Sequence, residues 1–190
     1  MKLFTPLLPV ILIAGIRLAL PWAAEALTER DHYGLASAGA VPDIPALDPD
    51  AMRADDVEAT FVFFGFHGCT ASCPAQLLNM RRLAEGTERD DVRFLYISLA
   101  PSEMAASDVA GWLHSLGPAF RGYRPDDAAH ARRLVQSFGG FSDHYGETPG
   151  AFDHSADLYL VTRDHRVMRY PGTALDLARV RQDLDSLIDR

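Results

Sequence analysis

The sequence predicts an α/β layered domain over residues 58–190, on three observations. Short β-branched and aromatic runs alternate with stretches of helical periodicity, in the order β-α-β-α-β-α-β-β-α. The first of these runs is apolar on both faces, as in a strand covered by helices on two sides. Hydrophobic content of 48% and charged content of 23% are those of an ordinary globular protein.

Taken in order, Thr60 to Phe66 (Thr-Phe-Val-Phe-Phe-Gly-Phe) is the buried central strand. Pro74 to Glu85 is helical: proline suits a first turn, Leu77, Leu78, Met80 and Leu83 form an apolar stripe, and Gly86 ends it. Val92 to Ser98 is a second strand. Ser102 caps a helix through about Ser115, with Glu103 and Asp108 near its positive end. Ala119 to Arg124 is a short strand, and Asp126 caps a helix through about Phe138. A Gly-, Ser-, Asp- and His-containing stretch from Phe141 to Asp153 is a loop. Leu158–Thr162 and Val167–Tyr170 form a hairpin around Arg163-Asp164. Thr173 with Asp176 makes a capping box for a last helix to about Ile188, its apolar face Leu177, Val180, Leu184, Leu187 and Ile188.

Residues 1–26 differ from the rest. Lys2 and the chain amine give a short positive start, and Arg17 is the one charge from Leu3 to Trp22. Ala24-Glu25-Ala26 fits a cleavage site. The segment is an export signal, an uncleaved membrane anchor, or both in sequence. Arg17 disfavours a spanning helix, because a cation near mid-bilayer costs ~2.5–3.5 kcal/mol on insertion scales. Either way the folded part is expected in an oxidising compartment, the periplasm in a bacterium. Residues 27–57, rich in Asp, Glu, Pro, Ala and Gly, are expected to be a tether leading into irregular structure. A formal charge of −8 repels phosphate backbones and argues against nucleic acid as a partner.

The chemistry concentrates in Phe64-Gly-Phe-His-Gly-Cys-Thr-Ala-Ser-Cys-Pro74. Cys69 and Cys73 follow a buried strand and open a helix, where unpaired amides and partial positive charge favour thiolates. A thiolate is both the nucleophile of disulfide exchange and a soft metal ligand. The four-residue spacing brings the sulfurs within reach of a disulfide or of one shared metal. As a mere staple the pair would close a very small loop, with little entropic effect.

This stretch resembles the Sco/SenC family of thioredoxin-like copper chaperones, whose motif is an aromatic-Gly-aromatic strand end followed by C-x-x-x-C-P. Phe64-Gly65-Phe66, Cys69, Cys73 and Pro74 match it, and Asp153-His154-Ser155 before an apolar run matches the family's late histidine. The resemblance implies a thioredoxin-like fold over about residues 58–190. It also implies a copper site of Cys69, Cys73 and His154, and a role in handing copper to the dinuclear centre of cytochrome c oxidase, or receiving it from another chaperone. Two thiolates and an imidazole form a soft three-coordinate set suited to Cu(I), with Cu(II) also open. Asp153 or another acceptor would orient the His154 ring.

The chain departs from the family pattern in three places. Ser98-Leu-Ala-Pro-Ser-Glu103 stands where many relatives have an Asp-Pro-x-x-Asp-Thr-like segment. Thr70 stands where proline is common after the first cysteine, and the region before residue 58 lacks the usual hairpin. The chain thus reads as a divergent member. A second reading uses the same pair as a thiol-disulfide oxidoreductase, Cys69 attacking and Cys73 resolving. His67 and His144 are subsidiary candidates beside the site, and Phe141 and Tyr145 candidates for its rim. Phe61, Phe63, Phe64 and Phe66 are read as core and pocket wall, and His32, His114, His130 and His165 as surface residues.

Overall fold

A computed structural model describes residues 32–37, 41–66, 68–102, 106–144 and 152–189. All of these but His32 belong to one compact unit, Tyr33–Arg190.

A six-stranded mixed sheet organises the unit. Its strands are β1 (Leu35–Ser37), β2 (Ala59–Gly65), β3 (Val92–Ser98), β4 (Phe120–Tyr123), β7 (Leu158–Thr162) and β8 (Val167–Tyr170), in the order β1-β8-β7-β2-β3-β4. Strands β2, β3 and β4 are parallel; β7 is antiparallel to β2, β8 to β7, and β1 to β8. The helices are α1 (Pro49–Ala54), α2 (Ser72–Thr87), α3 (Ala106–His114), α4 (Ala128–Ser137) and α5 (Leu177–Ile188). Parallel neighbours need crossovers, and α2 and α3 supply them.

Every residue of β2 is buried, which explains why this run shows no polar face. Phe61 and Phe63 point to one side, packed with Met80 and Leu83 of α2, Val109 and Leu113 of α3, and Val180, Leu184 and Leu187 of α5. Val62 and Phe64 point to the other, packed with Ala131, Leu134 and Val135 of α4 and with Ile44 and Leu47.

Several local expectations change. Helix α2 begins at Ser72 and runs through Gly86, ending where Glu88 adopts a left-handed conformation, φ 47°. Its buried side includes Gln76 and Asn79, whereas Leu78 of the expected stripe is exposed. The caps of α4 and α5 are Asp127 and Asp176, whose carboxylates accept from His130 N–H and from Ala178 and Arg179 N–H. Thr173 instead presents its carbonyl to the Asn79 amide, 2.9 Å. Helix α3 is described from Ala106; Glu103 of its expected first turn lies outside the described residues.

The segment expected as tether and irregular structure is packed from Tyr33 onward, where it is described. β1 pairs with β8 along Leu35–Ser37. The Asp183 carboxylate accepts from Tyr33 N–H (3.0 Å) and Gly34 N–H (2.8 Å), tying this strand to α5. Ile44, Leu47, Met52 and Val57 are buried, and His165, exposed as expected, reaches the Leu47 carbonyl at 3.1 Å. The stretch expected as a loop also contains a two-stranded sheet, β5 (Ser142–His144) with β6 (Phe152–His154).

Candidate metal centre

Strand β2 ends at Gly65, and the chain turns through Gly68 (φ 82°) into α2. Cys69 lies on this turn and Cys73 in the first turn of the helix. No side chain caps α2 in the usual way. The Cys69 sulfur takes that place: Cys73 N–H donates to it at 3.3 Å. An unpaired amide at a helix start thus meets a sulfur that gains from negative charge.

The two thiols differ in kind. Cys73 is buried and Cys69 half-buried. Burial disfavours the charge of Cys69, but hydrogen bonds to its sulfur, foremost that of the Cys73 thiol, outweigh it, and its pKa is lowered to about 6. Burial, with the bond to Cys69 next, pushes the Cys73 thiol up to about 12. One sulfur is set to ionise near neutrality and its neighbour is set to keep its proton.

Gly65 gives Cys73 its room. A Cβ there would lie 2.8 Å from Tyr96 Cε2 and 3.1 Å from Cys73 Sγ. Across the sheet, β7 pairs antiparallel with β2 and delivers the end of β6 to the same edge. His154 is 9% exposed, and its Nε2 lies 3.9 Å from Cys73 Sγ. The rings of Phe66 and Phe63 flank it, centroids 5.6 and 6.3 Å away. His154 Nδ1 lies 2.9 Å from the Ser155 carbonyl. A carbonyl only accepts, so Nδ1 carries a proton, and in the neutral ring Nε2 then turns its lone pair toward the sulfurs. The orienting group is therefore this backbone carbonyl; Asp153, weighed for that role, is exposed. Gly140 lets the β5–β6 hairpin close onto the domain, since a Cβ there would meet Ser155 Oγ at 2.5 Å.

The donor atoms of Cys69, Cys73 and His154 all lie within 4.8 Å of one another. A small movement brings all three onto one ion. A family model, SCO1/SenC, matches residues 51–189.

The chain belongs to the SCO1/SenC family.

Solved structures agree. A SCO1/SenC family lipoprotein from Bacillus anthracis aligns with TM-score 0.63 at 16% identity, covering 83% of this chain and 94% of that one. Bradyrhizobium japonicum ScoI, with copper bound, aligns with TM-score 0.58 at 21% identity, covering 81% and 98%. BsSco, described as a member of the Sco family of cytochrome c oxidase assembly proteins and as having a disulfide switch, aligns with TM-score 0.61 at 17% identity, covering 84% and 98%. At these identities the likeness is one of fold, and that fold is thioredoxin-like. Comparison with curated sequences finds no match.

The other candidates sort as follows. His67 and Tyr145 lie outside the described residues; His144 is described only as part of β5. Phe141 is exposed, whereas Phe61, Phe63, Phe64 and Phe66 are all buried, as core or wall. His130 is paired with Asp126 at 3.4 Å. Residue patterns did not disclose the Ser155 carbonyl, because a backbone acceptor leaves no signature. The Gly65 constraint was visible only as a glycine interrupting an aromatic run.

Proposed function

We propose that this SCO1/SenC protein is an exported copper-binding chaperone that holds one copper through Cys69 Sγ, Cys73 Sγ and His154 Nε2. It releases that copper to a respiratory oxidase assembly site. The observation that carries the reading is the convergence of two sulfurs and one bare imidazole nitrogen within 4.8 Å, in a pocket walled by aromatic rings. Two soft thiolates and one imidazole favour Cu(I) over the harder divalent ions. The copper-bound ScoI relative supports the metal, and the oxidase-assembly description of BsSco supports the recipient. Residues 1–26 act as export signal or anchor, a reading to which the Bacillus anthracis lipoprotein lends support. Among the described residues no helix is long and apolar enough to cross a membrane.

The test is a competitive Cu(I) titration of the reduced protein. One equivalent is expected to bind, and His154→Ala to weaken it more than about 100-fold, beyond the loss typical of an outer-shell partner. Absence of stoichiometric binding by the wild type overturns the reading.

A second reading, a thiol-disulfide oxidoreductase, is favoured by one observation: a half-exposed thiol of lowered pKa beside a buried thiol of raised pKa. Cys69 would attack and Cys73 resolve. His154→Ala separates the two, because thiol exchange survives it in part while copper binding collapses.

A further inference from the structure

A cleft of about 380 Å³ opens beside the cysteine pair. Its walls are Phe66, Pro74, Leu77, Tyr96, Val109 and Trp112, together with both cysteines, and none of the described residues lining it is charged. Trp112, from α3, is 39% exposed, one of few large apolar side chains that the described surface leaves open. Its ring stands edge-on to Tyr96 at 5.4 Å between centroids, which fixes it at the rim. Ser98, the last residue of β3, lines the cleft too.

The cysteines belong both to this cleft and to the donor trio, whereas His154 belongs to the trio alone. Among the described residues, a molecule entering the cleft therefore meets sulfur and not imidazole. We propose that the cleft is the docking site for the acceptor protein. Its occupant is an extended, uncharged segment of that acceptor, with an aliphatic or thioether side chain adjoining the cysteine that takes the cargo. Trp112 is the residue that selects it. This deepens the copper-chaperone reading and rests on it for the nature of the cargo. The occupant's chemistry follows from continuity and charge. Any acceptor must bring its donors to the half-exposed Cys69, and the described residues it then covers are uncharged, on a chain of net charge −8. A charged side chain buried there would find no partner of opposite sign among the described lining residues. Apolar clefts of this kind commonly take one anchoring side chain.

The test uses the reduced full chain and four synthetic peptides, Gly-X-Cys-Gly with X as Leu, Met, Asp or Lys. Each carries its cysteine as a mixed disulfide with thionitrobenzoate. The Cys69 thiolate attacks the peptide sulfur, a protein–peptide disulfide forms, and one coloured thionitrobenzoate anion leaves. Rates are divided by those of the same peptides with glutathione. The Leu and Met peptides are expected to react about tenfold faster than both charged ones, the effect of burying roughly two methylenes. Using both signs of charge separates docking from the general field of an acidic protein. Trp112→Ala is expected to remove most of that preference and Trp112→Phe to keep it. Equal normalised rates for all four peptides, or a preference unchanged in Trp112→Ala, overturns the proposal. The wild-type copper titration is independent of this result. A preserved preference without copper binding would overturn the chaperone reading while leaving the cleft's selectivity in place, and copper binding without a preference would do the reverse.

Discussion

Cys69 and Cys73 are four residues apart yet ionise over different ranges, and the difference is positional. Cys69 sits on a turn where an amide and a thiol donate to it; Cys73 is enclosed by Gly65, Tyr96 and His154. With its pKa lowered to about 6, Cys69 is thiolate above that pH and is reprotonated as the pH falls through it. The rate of Cys69 alkylation by iodoacetamide, located by mass spectrometry, is expected to reach half its plateau near pH 6, against about 8.5 for a free cysteine. Cys73→Ala removes the foremost of the bonds that lower it, so the midpoint should move to higher pH. A midpoint unchanged in the variant would mean that His154 and the helix-start amides set the value without the Cys73 thiol. The identity of the pair was legible from the sequence, because strand end, spacing and following proline are all local signals. The His154 tautomer was not, since it depends on a carbonyl whose direction only the folded β6 determines.

The same division holds for whole elements. Strand β2, strand β3 and helix α5 were readable because burial on two faces, or on one stripe, imposes a period on the sequence. The segment 41–57 was not. Ile44, Leu47, Met52 and Val57 are spaced irregularly among prolines and aspartates, with no helical or strand period, yet all four are buried. The β5–β6 ladder has three residues a side, too few to show alternation. Leu78 misled for a related reason: α2 buries the amides of Gln76 and Asn79, which bond each other at 2.9 Å, and a stripe of leucines does not show that. Strand β1 is held by its ladder to β8 and, just before it, by one side chain. Asp183→Ala leaves the Tyr33 and Gly34 amides without their carboxylate acceptor and is expected to cost about 1–3 kcal/mol in urea denaturation. Hydrogen exchange should rise first at Leu35–Ser37. A loss spread evenly over the sheet would mean that the clamp is not local.

At the scale of the whole molecule, the donor trio joins α2 to β6 across the sheet, so an ion bound there holds together elements far apart in sequence. A ligand that binds only the folded form stabilises it by mass action, about 4 kcal/mol at a thousand times its Kd. Loading with Cu(I) is therefore expected to raise the urea midpoint of the reduced protein, and a strong chelator to return it. An equal rise in His154→Ala would show that the metal sits on the two sulfurs alone. The placement of His154 also gives the site a history. Chains are made from the N-terminus, and Cys69 and Cys73 emerge long before β6 and β7 exist. Until those strands arrive, β2 lacks its antiparallel neighbour and the thiols lack the His154 imidazole. A nascent chain that stops short of Phe152 is a bare dithiol, open to oxidation and unable to complete the trio. The last fifth of the sequence thus decides when the first motif becomes a site.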